Sequence, residues 1–233
     1  MVSPELDYPR VEWVGDRSLL IRVGEGISRE CHADVFRLFH LLTARKPEHI
    51  RSIHPAYDSL LLTYDPEVAG PDETAEMVRS LIQKKDAITL PKPRTVDIPV
   101  CYEGEMAPDL GDVAELNGRT VEEVVRLHSG TEYLVYFLGF SPGFPYLGDL
   151  PKELATPRLK TPRLKVPAGS VAIGGSQTGV YPVDSPGGWR LIGRTPLPLF
   201  SPEKDPPTLL QMGDRVRFAP ITMKEFNALR ATE

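Results

Sequence analysis

The chain has 233 residues, 41% of them hydrophobic and 25% charged, which suits one large globular domain or two small ones. A formal net charge of −5 argues against a dedicated nucleic-acid binder, and no apolar run approaches the roughly 20 residues needed to span a bilayer. The N-terminus lacks the basic and apolar regions of a secretory signal, and Cys31 and Cys101 fit neither a disulfide framework nor a metal-ligand spacing. These features predict a cytoplasmic protein with two reduced thiols.

The first 90 or so residues alternate strand and helix signals. Ser18 to Val23 places Leu19, Ile21 and Val23 on one face of a strand. Ser28 is placed to cap a helix with Cys31, Val35, Leu38, Phe39 and Leu42 inward. His49–His54 and Ser59–Tyr64 read as paired strands, and Pro71 opens a second helix with Met77, Val78, Leu81 and Ile82 inward. A short strand over 87–90 would complete a ferredoxin-like β-α-β-β-α-β unit. Two prolines in Leu90-Pro91-Lys92-Pro93-Arg94 mark a connector, giving domains over 1–92 and 93–233.

Val96, Ile98 and Val100 alternate as a strand after the connector, and two short helices follow. The second begins with a capping box, Thr120 with Glu123, and presents Val121, Val124, Val125 and His128 on one face. Glu132 to Leu138 is an apolar strand. Short strands recur at 170–173, 179–183, 189–193 and 214–220, separated by turn signals, the pattern of a β-barrel or sandwich.

Residues 139–195 hold 10 Gly and 8 Pro among 57 positions, so they form no long helix. They are not a linker either, because Phe140, Phe144, Tyr146, Val171, Ile173, Tyr181, Trp189 and Ile192 need burial or a ligand. With 7 Lys or Arg against 3 Asp or Glu, this is also the basic part of an acidic protein. An aromatic, basic, turn-rich surface suits a small anionic or polar ligand.

Gly139-Phe140-Ser141-Pro142-Gly143 matches the G-x-S-x-G elbow of serine hydrolases, but the chemistry rejects it. The elbow needs a backbone N–H after the serine and a helix beyond it; Pro142 has no N–H and FPYLGDLP cannot be helical. A tight turn at a strand end is the reading that stands. Gly174-Gly175-Ser176-Gln177-Thr178-Gly179 has backbone amides suited to a phosphate but lacks the lysine and helix of a P-loop; a hairpin is the commoner meaning. Ser185-Pro186-Gly187-Gly188-Trp189 reads as a bulged hairpin with a core tryptophan. Residues 156–160 and 161–165 repeat TPRLK, a proline-braced loop expected to point Arg158 and Arg163 outward. None of the five histidines forms a metal pair; His128 is expected to be packed, and His54 is the weak functional candidate.

In order along the chain, DIPVCY, GFSPGFPYL, PRLKTPRLKVPAGSVAI, YPVDSPGGW and LIGRTP resemble the KipI/PxpB family, also called allophanate hydrolase subunit 1 or the carboxyltransferase C/D domain family. The resemblance covers nearly the whole chain and is strongest over 95–200. It implies a small α/β domain followed by a cyclophilin-like β-barrel. It implies work with a related KipA/PxpC-like subunit and a PxpA-like subunit in an ATP-dependent 5-oxoprolinase, which opens 5-oxoproline to glutamate. It also allows an inhibitor of a sensor histidine kinase, or a carboxyltransferase-type subunit. On that reading Arg158, Arg163 and Lys165 are the candidate cations for substrate or phosphoryl charge. Gln177 and the 174–179 backbone are candidate oxygen ligands. Phe140, Phe144, Tyr146 and Trp189, with the Ser185, Gly187 and Gly188 turn, are the candidate walls. No self-sufficient catalytic set stands out, so catalytic residues are left unassigned.

Overall fold

The computed structural model describes residues 8–45, 47–83 and 88–231. The chain forms two compact units, Met1–Lys92 and Pro93–Glu233.

The first unit is an antiparallel sheet in the order β1-β2-β4-β3 with two helices. Its strands are β1 (Arg10–Trp13), β2 (Ser18–Arg22), β3 (Ile50–Pro55) and β4 (Ser59–Tyr64); its helices are α1 (Arg29–Ala44) and α2 (Pro71–Ile82). Leu19 and Ile21 of β2 are buried, as their alternation predicts. The Ser28 side chain accepts from the Cys31 N–H at 3.0 Å and so caps α1. The buried stripe of α1 is His32, Val35, Leu38, Leu41 and Leu42, rotated slightly from the expected one, with Cys31 and Phe39 only partly covered.

The element order differs from the expected β-α-β-β-α-β unit. Ala87 lies outside the described residues, and Ile88 to Leu90 form no strand. The sheet edge beside β2 belongs instead to β1, which pairs Trp13 with Leu19 and Arg10 with Arg22. Gly15, at φ +69°, makes the turn that folds β1 onto β2. A hairpin partner a few residues away closes at less entropic cost than a strand returning after α2.

The second unit is a closed barrel in the order β10-β7-β6-β13-β5-β12-β9. Its strands are β5 (Thr95–Cys101), β6 (Glu132–Leu138), β7 (Pro145–Leu147), β9 (Ser170–Gly174), β10 (Gln177–Val180), β12 (Arg190–Arg194) and β13 (Arg215–Ile221). Among the described residues only β5 and β13 run parallel, in register from Arg215 against Thr95 to Ile221 against Cys101. β8 (Arg163–Val166) and β11 (Ser185–Gly187) form a separate two-stranded ribbon. Three helices complete the unit: α3 (Leu110–Leu116), α4 (Val121–Ser129) and α5 (Met223–Arg230). The capping box of Thr120 and Glu123 is present at α4. Alternate strand residues such as Ile98, Val100, Tyr133, Val135, Val171, Ile173, Ile192 and Phe218 fill the barrel core.

His128 of α4 is fully buried and makes two hydrogen bonds, to Tyr102 at 2.8 Å and Thr178 at 3.0 Å. The Thr178 hydroxyl donates to the Ala172 carbonyl at 3.0 Å, so it accepts from His128 Nε2–H. His128 Nδ1 then accepts from the Tyr102 hydroxyl. This neutral imidazole is a core element, as the sequence predicts. Burial pushes it from the ordinary 6.5 down to about 3. As pH falls below 6.5 the unfolded chain takes up a proton that the folded chain refuses, so stability is lost from 6.5 down toward 3, at about 1.4 kcal/mol per pH unit. Urea unfolding at pH 7 and pH 5 should show this histidine costing the wild type about 2 kcal/mol, a dependence that His128→Gln lacks. Equal pH slopes for the two proteins would refute the assignment.

Candidate functional site

The Gly- and Pro-rich segment wraps a cleft of about 290 Å³ on the second unit. Four aromatic side chains make its interior. Phe144 precedes β7, Tyr146 lies in it, Tyr181 follows β10, and Trp189 sits between β11 and β12. Their rings meet at angles, with centroid distances of 5.2 Å for Phe144–Tyr181, 5.6 Å for Phe144–Trp189 and 6.2 Å for Tyr146–Trp189. Tilted and edge-on contacts of this kind hold one another in place and leave ring faces to line a cleft. Burial raises both tyrosines above the ordinary phenol value, so their hydroxyls stay protonated and able to donate.

Two glycines make the arrangement possible. A methyl group on Gly174 would stand 2.6 Å from the Trp189 indole, and one on Gly187 would collide with the Tyr181 hydroxyl. Phe140 stands at the rim, 64% exposed, with φ +65°. An aromatic residue in the left-handed region costs roughly 1–2 kcal/mol, which points to a role for the displayed ring. It stands edge-on to Phe144 at 5.5 Å and Tyr181 at 6.4 Å.

Arg158 is the charged side chain among the lining residues. Its guanidinium carbon lies 5.6 Å from the Trp189 ring centroid, a cation–π placement. The backbone holds the loop in position, with the Leu159 N–H donating to the Gly188 carbonyl at 2.7 Å.

Seven of the residues expected from sequence therefore meet in one cleft: Phe140, Phe144, Tyr146, Arg158, Gly187, Gly188 and Trp189. Four others do not line it. Arg163 does not point outward: its Nη2 donates to the buried Asp109 carboxylate at 2.6 Å. Lys165 pairs with Asp184 at 2.9 Å on the surface. Gln177 opens β10 opposite Gly174 in a hairpin, and the Gly175 N–H is already used on the Thr156 carbonyl at 2.8 Å. That segment is therefore a hairpin, with one of its amides already occupied. Ser185 opens β11 with its hydroxyl buried, and it is not among the residues lining the cleft. Leu159, Pro162, Tyr181 and Pro186 also line the cleft, beyond the residues expected from sequence. Tyr181 carried a signal, a large aromatic in a turn-rich run. The other three gave none before the loop was folded.

Ser141 belongs to a turn between β6 and β7, closed by the Phe144 N–H donating to the Ser141 carbonyl at 3.0 Å. A strand and not a helix follows it, in keeping with the non-helical FPYLGDLP sequence. In any reconstituted enzyme containing this chain, Ser141→Ala should leave turnover within a few-fold of wild type; a loss of several orders of magnitude in an assembled, folded complex would show a nucleophile there.

The second unit is thus a closed barrel with a small aromatic cleft lined by one arginine; among the described residues, the cleft lining contains no carboxylate, histidine or cysteine. The model of the carboxyltransferase domain, subdomains C and D, matches residues 9–210. The chain belongs to this carboxyltransferase C/D family and, within it, to the KipI/PxpB group. It is 43% identical to the B subunit of 5-oxoprolinase from Bacillus subtilis (strain 168) over 95% of this chain and 96% of that protein. It is also 43% identical to the corresponding 5-oxoprolinase subunit of Escherichia coli O157:H7, over 89% and 94% of the two chains. The crystal structure of TTHA0988 superimposes with a TM-score of 0.78 at 40% identity, covering 88% of this chain but only 40% of that one.

Proposed function

We propose that this chain is the PxpB-type subunit of an ATP-dependent 5-oxoprolinase, acting with KipA/PxpC-like and PxpA-like subunits to convert 5-oxoproline to glutamate. The observation that carries this reading is identity at 43% with the 5-oxoprolinase subunit of Bacillus subtilis along almost the full length of both chains.

The cleft supports it chemically. 5-Oxoproline is a small five-membered lactam bearing one carboxylate. The faces of Tyr146, Tyr181 and Trp189 suit the ring, and Arg158 suits the carboxylate with a charge-assisted bond. Amide resonance makes the lactam a poor electrophile. Transfer of the terminal phosphoryl of ATP to the lactam oxygen, with ADP leaving, makes the ring carbon reactive toward water. Attack, ring opening and loss of phosphate then give glutamate. Cations and donors must meet the charge that develops in the phosphoryl step. The cleft wall offers Arg158 and the tyrosine hydroxyls, and a partner subunit supplies the remaining groups. The test is reconstitution with the candidate partners, following glutamate release from 5-oxoproline with and without ATP. Release that requires this chain and ATP is expected; none from any cognate combination would sink the proposal.

The family description favours a second reading, a carboxyltransferase-type subunit that handles carboxybiotin. Inhibition of the reconstituted activity by avidin separates the two, since lactam opening needs no biotin.

A further inference from the structure

The second unit carries another cleft, of about 180 Å³, that the proposed reaction does not use. Pro182, Pro196, Pro198 and Phe226 make its apolar walls, and two arginines line it: Arg194, which ends β12, and Arg230, in the last turn of α5. Arg194 is half-buried, and its Nε donates to the Ala168 carbonyl at 2.8 Å. That bond fixes one edge of the guanidinium plane and leaves both Nη groups for another acceptor.

Among the described residues no carboxylate stands within ion-pair distance of either arginine. The acidic side chains nearest in effect to Arg194 are Asp184 and Glu105. Asp184 is already engaged by Lys165 at 2.9 Å and by the Ala168 N–H at 2.8 Å. Desolvation and the neighbouring charge of Arg230 both disfavour the Arg194 cation. Two like charges lining one small cleft, one of them immobilised and partly desolvated, are destabilising until an anion joins them.

We infer that this cleft binds a small oxyanion, a phosphoryl or carboxylate group, with the Arg194 fork against two of its oxygens and Arg230 as the second cation. A planar fork matches either group in bidentate fashion. The site shares a wall with the aromatic cleft. Tyr181 lines one and Pro182 the other, and the Gly169 N–H holds the Tyr181 carbonyl at 2.7 Å while the Thr195 N–H holds the Gly169 carbonyl at 2.9 Å.

Oxyanion binding here does not depend on the 5-oxoprolinase reading, and its test measures binding alone. The full chain is titrated calorimetrically with inorganic phosphate and, separately, with succinate, at ionic strength held constant with sodium chloride. Saturable millimolar or tighter binding of at least one probe is expected, and which probe binds tells the phosphoryl source from the carboxylate source. Arg230→Gln should weaken that binding at least tenfold while leaving the unliganded melting temperature unchanged or higher. Arg194→Gln should weaken it further, but it also removes the bond to Ala168, so Arg230→Gln decides the matter. No saturable binding of either probe, or wild-type affinity in Arg230→Gln, overturns the inference.

Discussion

Asp109→Ala should destabilise the protein by about 3–5 kcal/mol, the largest single-residue effect expected outside the apolar core. Asp109 is buried, and both its oxygens are used: one accepts from Arg163 at 2.6 Å, the other from the Leu191 N–H at 2.7 Å. Its own N–H donates to the Leu191 carbonyl at 2.9 Å. The side chain therefore ties β8 to β12, the strand that Trp189 directly precedes. Removing it strands a backbone donor and the Arg163 guanidinium, whose Nη1 is already buried without a partner. The comparison is Glu132→Ala, which breaks the exposed pair with Arg217 at 2.8 Å and should cost no more than about 1 kcal/mol. Urea unfolding of the two variants measures the difference. Equal losses would mean that the Asp109 network contributes no more than a surface ion pair. The same network predicts that Arg163→Glu fails through misfolding, since it sets a carboxylate against a buried carboxylate.

Arg158→Glu should act in the opposite way, sparing stability and removing function. Arg158 is exposed and engages Trp189 through its ring face, so reversal leaves the fold intact. If it meets the carboxylate of 5-oxoproline, reversal should cost on the order of 2–4 kcal/mol, roughly 30- to 1,000-fold in kcat/KM. Arg158→Lys should recover part of the loss, because a point charge replaces the fork but cannot reproduce bidentate geometry. The measurement is glutamate release by the reconstituted complex at several 5-oxoproline concentrations, with assembly checked by gel filtration. Wild-type kinetics in an assembled Arg158→Glu complex would remove this arginine from the site.

The two TPRLK copies are chemically identical, yet their fates differ. Leu159 lines the cleft while Leu164 is 93% exposed, and Arg158 is exposed while Arg163 closes on a buried carboxylate. The first copy runs past Gly175 and Gly188, whose backbones hold Thr156 and Leu159. The second enters β8 and pairs with β11, where Arg163 reaches Asp109, Leu164 and Lys165 are exposed and Val166 is buried. Local propensity is the same in both. The neighbours differ, and they come from distant parts of the chain: Gly175 and Gly188 for the first copy, Asp109 for the second.

What could be read from the chain by itself was whatever short-range physics determines. The capping residues Ser28 and Thr120 start their helices, alternation marks β2 and β5, an apolar run marks β6, Pro142 rules out the serine elbow, and the crowding of aromatic residues with Gly and Pro marks the aromatic cleft. What only the tertiary structure decided was pairing. The edge strand beside β2 comes from an N-terminal hairpin, Asp109 claims Arg163, Asp184 claims Lys165, and Arg194 and Arg230 meet at one cleft from β12 and α5. A charge's partner is set by which surfaces close on each other once the core is buried, and no spacing along the sequence encodes that distance.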